Sequence, residues 1–118
     1  MKFPSFWPFG RKPQAPTLIP VPARFIRTDK VGKGELRVRT SLCRLGRAAD
    51  NDLCLDNDSV SGRHAELYYL PDGTFRICDL DSTNGTWVNG KQVSSQILQS
   101  GDVVELGEVR LHFRVGDG

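Results

Sequence analysis

No stretch of this sequence is both apolar and long enough to cross a bilayer as a helix. The opening residues, MKFPSFWPFGRKP, are not expected to form a signal peptide either. Pro4 and Pro8 interrupt the apolar stretch, and no small-residue cleavage site follows. Cysteine is sparse: Cys43, Cys54 and Cys78 are an odd number without a CxxC pair, each between apolar or strand-like neighbours. Buried free thiols in a reducing compartment are therefore expected, and with them a cytoplasmic location. These cysteines and His64 and His112 lack paired-ligand spacing, so no metal site is expected. Also missing is any sustained 3.6-residue period of helical length, which leaves an all-β chain.

Acidic residues are scarce in the first third of the chain and dominate the rest. Residues 1–40 hold nine Lys/Arg and two Asp/Glu, a balance of +7; residues 41–118 hold seven and twelve, a balance of −5. The sum is the formal +2. The acidic part would repel a nucleic-acid backbone, so no nucleic-acid partner is expected and any anion site must be local.

Proline is nearly confined to the start. Six of the seven lie at positions 4, 8, 13, 16, 20 and 22, and only Pro71 follows. That density forbids helix and disfavours a paired strand, so residues 1–22 are expected to form an extended, flexible arm and residues 23–116 a single domain. The arm carries Phe3, Phe6, Trp7 and Phe9 beside Lys2, Arg11 and Lys12. The plainer reading is a tail with a few local contacts; contact with a membrane surface or a partner ranks second. Beyond the arm, strands are expected at 23–28, 36–39, 42–45, 53–55, 64–70, 74–80, 103–106 and 109–115. Turns separate them at Gly32 to Gly34, Pro71-Asp72-Gly73, Asn84-Gly85, Asn89-Gly90 and Gly107. Many short strands at this spacing mean a sandwich or barrel.

Three loops carry unusual residues. Gly46-Arg47 follows one strand, Ser61-Gly62-Arg63-His64 precedes another, and Ser82-Thr83-Asn84-Gly85-Thr86 leads to Val88-Asn89-Gly90. Singly, each has an ordinary explanation as a turn or a solvated charge. In this order, with Asp50-Asn51-Asp52-Leu53 after the first and Gly101-Asp102 to Gly107 near the end, they resemble the forkhead-associated (FHA) domain. The resemblance runs from about Arg37 to Val115. It implies a β-sandwich of two twisted antiparallel sheets with binding loops at one end. It also implies a phosphopeptide-binding module that recognises phosphothreonine in partner proteins, in Ser/Thr kinase signalling. Arg47, Ser61, Thr83 and Asn84 match the ligand-contacting positions; Gly46 and His64 match positions that shape the loops, with Gly85 walling the pocket. One departure stands out: many relatives place Arg, Lys or Asn after the serine, where this chain has Gly62, with an arginine displaced to Arg63. Arg63 then either replaces the lost contact or covers the strand edge.

The chemistry suits that reading. A phosphothreonine carries about −1.5 to −2 charge and three acceptor oxygens. Arg47 supplies a cationic fork; the Ser61 hydroxyl and the backbone N–H groups near Thr83 supply short neutral donors. The Asn84 amide suits the peptide's own N–H and C=O groups, and His64 suits bracing the Ser61 turn. A Ser61–His64–Asp triad is disfavoured, because Ser61 has no G-x-S-x-G elbow and nothing marks an oxyanion hole. Neither an enzyme, a cofactor nor a small-molecule substrate is expected. The competing reading is a phosphate-independent scaffold that uses the same sandwich. Peptide selectivity is expected from loops outside the motifs, such as residues 91–96.

Overall fold

The computed structural model describes residues 15–28 and 34–116. Eleven strands run in order: β1 (Leu18–Arg27), β2 (Gly34–Thr40), β3 (Leu42–Gly46), β4 (Leu53–Cys54), β5 (Ala65–Tyr69), β6 (Phe75–Asp79), β7 (Thr86–Val88), β8 (Lys91–Val93), β9 (Ser95–Leu98), β10 (Val103–Leu106) and β11 (Val109–Val115). They form two sheets, β2-β1-β11-β10-β7-β8 and β4-β3-β5-β6-β9. Every pairing is antiparallel except β3 with β4, where Leu45 faces Leu53 and Gly46 faces Cys54 in parallel.

Period-two alternation builds the core between the sheets. In β11, Val109, Leu111 and Phe113 are buried while Arg110 and Arg114 are exposed. Val104 and Leu106 of β10 and Ala23 and Phe25 of β1 add to that inner face. Leu45, Ala65, Leu67, Phe75 and Ile77 face them from the second sheet. Phe113 ties the layers together, its ring 5.1 Å from Phe25 and 5.2 Å edge-on from Phe75.

The long connection from β4 to β5 is drawn onto this core by Leu55 and Val60, both almost fully buried. Each contributes roughly 1.5–3 kcal/mol by that burial. Ser61 follows Val60 directly, so the position of this loop is set by core packing.

Several expectations need correction. Strand β1 begins at Leu18, five residues before the boundary placed at Ala23. The prolines are accommodated because the β1–β2 register shifts between Leu18↔Thr40 and Ala23↔Val38, five steps on one strand against two on the other. Pro20 and Pro22 lie in that irregular stretch, where no regular ladder needs their missing N–H. Pairing with β11 starts only at Ala23. The rest of the expected arm, residues 1–14, and the Gly32 half of the first turn lie outside the described residues.

Strands β7, β8 and β9 were not expected, and β8 and β9 occupy the segment read as a selectivity loop at 91–96. Asn89 and Gly90, with φ of 51° and 84°, make the two-residue turn between β7 and β8. Asn84 lacks a positive φ, so Asn84-Gly85 is not such a turn.

Of the three thiols, Cys43 and Cys78 are buried but Cys54 is exposed, on the short strand β4 at the sheet edge. Burial pushes the Cys43 thiol up to about 12, with the Asp52 carboxylate adding to it. Burial raises Cys78 as well. None of the described residues forms a helix long and apolar enough to span a membrane.

Candidate functional site

The three loops singled out in the sequence meet at one end of the sandwich. Strand β3 ends at Gly46, where the chain presses against the second loop. A Cβ on Gly46 would lie 2.2 Å from the Gly62 carbonyl oxygen and 2.7 Å from Asn51 Nδ2, so no larger residue fits without moving backbone. Two backbone bonds seal the contact: Arg47 N donates to Ser61 O (2.9 Å) and Ala48 N to Gly62 O (3.1 Å). The buried Asn51 side chain reinforces it, Nδ2 donating to Ala48 O at 2.8 Å and Gly62 O at 2.7 Å.

Arg47 is anchored by its neck. Nε donates to the Val60 carbonyl (3.0 Å), and the terminal guanidinium nitrogens have no acceptor among the described residues. The side chain is exposed, so its two-pronged end is presented to solvent in a set orientation.

His64 joins the second loop to the third. Its ring is fully buried. The Ser61 backbone N–H donates to Nδ1 (3.1 Å), and Nε2 lies 2.8 Å from the Gly85 carbonyl oxygen. Since Nδ1 accepts, Nε2 carries the proton and donates to Gly85. Burial pulls the imidazole pKa below its ordinary 6.5, against the opposing pull of the Gly85 carbonyl and of Asp79. The ring is thus neutral, as the donated Ser61 N–H requires.

In the third loop, the Asp79 carboxylate accepts from Ser82 Oγ (2.6 Å), Ser82 N (3.1 Å) and Thr86 Oγ1 (2.7 Å). Ser82 Oγ accepts in turn from Gly85 N (3.0 Å). Gly85 has φ of 88°, and a Cβ there would lie 2.6 Å from Gln92 Nε2. It is the positive φ that calls for glycine here, since the end of the Gln92 side chain is free to move aside.

Thr83 N donates to Ser61 Oγ (3.0 Å), so that N–H is already engaged and is not the free donor expected from the sequence. Its role is to orient the Ser61 hydroxyl, whose own hydrogen remains available. Asn84 Nδ2 donates to the Ser59 carbonyl (2.8 Å), leaving Oδ1 as an outward acceptor. Arg63 pairs with Asp50 of the first loop (2.6 Å), and that hydrogen bond holds the Asp50 carboxyl below its usual range. Arg63 therefore clips two loops together.

The structure thus brings Arg47, Ser61, Thr83 and Asn84 to one end, with Gly46, His64 and Gly85 beneath them. Residues 43–107, more than half of the chain, match the family model of the FHA domain. The chain belongs to the FHA domain family. The FHA sandwich expected from the motifs is the fold observed.

Among relatives, the oxoglutarate dehydrogenase inhibitor of Corynebacterium efficiens is 44% identical over 71 residues, 60% of this chain and 49% of that protein. The glycogen accumulation regulator GarA of Mycolicibacterium smegmatis is 46% identical over 71 residues, 60% of this chain and 44% of GarA. The matched FHA region thus spans about half the length of these relatives or less. A solved FHA structure, from a study of phosphothreonine-dependent FHA domain interactions, superposes with a TM-score of 0.72 at 31% identity, covering 79% of this chain and 95% of that one.

Sequence reasoning missed three supports of the FHA site: Asn51, Asp79 and Ser59. The Ser59 carbonyl holds Asn84, and its hydroxyl accepts from Glu108 N (2.8 Å) while donating to Asn57 Oδ1 (2.7 Å). Asn51 and Ser59 reach groups far along the chain, Gly62 O, Asn84 Nδ2 and Glu108 N, while Asp79 gathers Ser82 and Thr86 across a turn, and no motif announces either arrangement.

Gly62 behaves unlike Gly46. A Cβ there meets nothing within 4 Å, and its φ is not positive. Gly62→Arg is therefore expected to leave the melting temperature unchanged. It should tighten phosphopeptide binding by about three- to tenfold, as a new charge-assisted contact of roughly 1 kcal/mol would. Calorimetry with a single phosphopeptide checks this, and weaker binding would show that the site needs the bare backbone at that position.

Proposed function

We propose that this FHA domain recognises phosphothreonine in segments of partner proteins, within Ser/Thr kinase signalling in the cytoplasm. One observation carries the reading. Three loops distant in sequence are fastened into one body, the first to the second through Arg47, Ala48 and Asn51 and the second to the third through His64, and the groups they leave uncommitted are those a phosphorylated peptide needs. The Arg47 fork faces the phosphate, the Ser61 hydroxyl donates to it, and Asn84 Oδ1 accepts from the peptide backbone. Thr83 contributes by orienting Ser61 and through its exposed side chain. Residues 41–118, which carry the loops, have a net charge of −5, so the attraction is local to Arg47.

The site is a binding site and not a catalytic one. The His64 nitrogens are committed to Ser61 N and Gly85 O, so no path carries a proton from the Ser61 hydroxyl to the ring.

Packing should make the domain prefer phosphothreonine to phosphoserine. The two differ by one methyl group, worth roughly 0.8 kcal/mol when buried, or about fourfold in affinity. A void left unfilled beside the backbone near Gly85 would raise the difference. The preference should persist at high salt while both affinities fall. Calorimetry on matched peptides, with the unphosphorylated peptide as the third arm, tests it. Equal affinities for threonine and serine forms would reduce the site to a generic anion hole. Binding of the bare peptide would favour the phosphate-independent scaffold.

Beside Asn84 lies a hollow of about 380 Å³ lined by Ser59, Trp87, Glu105, Gly107 and Glu108. Glu105 is paired with Arg110 at 3.3 Å, whereas Glu108 has no cationic partner among the described residues. A peptide with Lys or Arg reaching this hollow should bind about two- to fivefold tighter than one with Glu there, the scale of an exposed ion pair. Glu108→Lys should reverse the order in a peptide-array comparison; an unchanged order would place selectivity elsewhere.

A further inference from the structure

The late motif from Gly101-Asp102 to Gly107 supplies no ligand-facing group, yet its last residue lies directly beneath the site. Gly107 and Glu108 make the turn from β10 to β11, between the fully buried Leu106 and Val109. Gly107 has φ of 59°. A Cβ there would lie 2.4 Å from the Ser59 carbonyl oxygen, 2.6 Å from Ser59 Oγ and 2.8 Å from the Ser59 carbonyl carbon. Unlike the Gln92 side chain beside Gly85, this obstacle is mainly backbone. It cannot retreat easily, because Val60 next to it is almost fully buried in the core. Positive φ and a backbone contact thus both call for glycine.

What rests against this turn is the acceptor that orients Asn84. Ser59 O takes the hydrogen bond from Asn84 Nδ2 at 2.8 Å. Ser59 Oγ accepts from Glu108 N at 2.8 Å and donates to Asn57 Oδ1 at 2.7 Å, which fastens Ser59 to the turn. The third loop itself holds only the main chain around Asn84. Trp87 Nε1 donates to Asn84 O (3.2 Å), and Gly85 N donates to Ser82 Oγ (3.0 Å). The side-chain amide is a separate matter, since its oxygen and NH2 ends have nearly the same shape. A carbonyl behind it admits only the NH2 end, which turns Oδ1 outward. With Ser59 O displaced, the amide would be free to turn over and meet a peptide N–H with a second donor.

We propose that Gly107 is a positioning residue for Asn84: its bare Cα lets the β10–β11 turn seat against Ser59, and that contact decides which end of the Asn84 amide faces a bound peptide. This role rests on the reading of Asn84 Oδ1 as an acceptor for the peptide backbone. The site then has two halves with separate supports. Arg47 and Ser61 grip the phosphate from the first and second loops. Asn84 grips the main chain, and its aim depends on a turn 23 residues further along the sequence. An amide already set in its bound orientation has less freedom to lose when the peptide arrives.

The test is a double-mutant cycle on the full chain, read by calorimetry. The probe is a phosphothreonine peptide with alanine at every flanking position, so that the hollow beside Asn84 adds nothing. Asn84→Ala should weaken binding by about tenfold, the loss of one oriented hydrogen bond. Gly107→Ala should weaken it by about three- to tenfold in the otherwise intact chain, and by less than about twofold where Asn84 is already alanine. Inorganic phosphate has no main chain for Asn84 to hold. Its titration midpoint, followed by the NMR signals of the Arg47 and Ser61 amides, should therefore agree within about twofold between wild type and Gly107→Ala. If Gly107→Ala does not fold, Ser59→Ala carries the same cycle. It removes the bonds to Glu108 N and Asn57 without a collision, and should cost about two- to fourfold with Asn84 present and nothing without it. Equal losses with and without Asn84, or phosphate binding that falls in step with peptide binding, would overturn the role and leave Gly107 acting only through the fold. Wild-type peptide affinity in a folded Gly107→Ala, or in Ser59→Ala, would overturn it too. Wild-type affinity in Asn84→Ala would instead overturn the reading of Asn84 itself, and this role with it.

Discussion

Arg47→Ala should lose measurable affinity for a phosphothreonine peptide while keeping its fold. The free protein uses Arg47 lightly: Nε donates to Val60 O, a bond worth about 0.5–1.5 kcal/mol. Its backbone bond to Ser61 survives the substitution. A modest fall in melting temperature is the whole structural effect expected. In the complex the loss is larger. The phosphate would be partly withdrawn from water with its two-pronged partner missing, which costs on the order of 2–5 kcal/mol. Arg47→Lys gives the graded control, restoring charge but not the paired donors, and should recover only part of the affinity. Calorimetry and thermal melts on the three proteins suffice. Wild-type affinity in the alanine variant would move the phosphate site away from Arg47.

His64→Ala should fail in the opposite order, through stability first and binding second. Truncating a fully buried ring removes the acceptor for Ser61 N–H and the donor to Gly85 O, and leaves a void between the loops. An unsatisfied buried group costs about 1–3 kcal/mol, and the void adds to it, so a total of roughly 3–4 kcal/mol is expected. For a domain of this size that lowers the melting temperature by roughly 15–25 °C. Binding should weaken because Ser61 and Asn84 no longer share a fixed geometry. An unchanged melting temperature with binding lost would instead place His64 in contact with the ligand.

The same residue sets a pH dependence. The folded-state pKa lies below the ordinary 6.5, so between those two values the unfolded chain binds a proton that the folded one refuses. The His64 contribution to stability is therefore complete above about pH 6.5 and declines as pH falls toward the depressed folded value. Melts of the unliganded protein should show that decline, and the alanine variant should lack it. Ligand must be left out, since the phosphate takes up its second proton near pH 6.

The strands that carry the core were legible because burial alternates in them. In β11 every second residue is apolar, and β5 and β6 are joined across a Pro-Asp-Gly turn. Strands β7 to β9 were not legible. Each has three or four residues, and Lys91, Gln92, Gln96 and Ile97 are exposed, so no face stands out. Of the site, Arg47, Ser61 and Asn84 were legible through order and spacing. What these groups still have to offer a ligand was not. The N–H groups near Thr83 read as donors and Arg63 as either a peptide contact or a cover for the strand edge; the fold commits Thr83 N–H to Ser61 and Arg63 to Asp50. Such commitments depend on which loops touch, which is fixed by the burial of Leu55 and Val60.

The bonds that hold the loops together almost all end on main-chain atoms: Arg47 on Val60 O, Asn51 on Ala48 O and Gly62 O, His64 on Ser61 N and Gly85 O, Asn84 on Ser59 O. A carbonyl is the same whatever side chain it carries. Residues such as Ala48, Gly62 and Thr83 can therefore change in evolution, or in a combinatorial library, without loosening the clamp. New peptide preferences become reachable by single substitutions at the rim, each neutral for folding, while the phosphate grip stays constant.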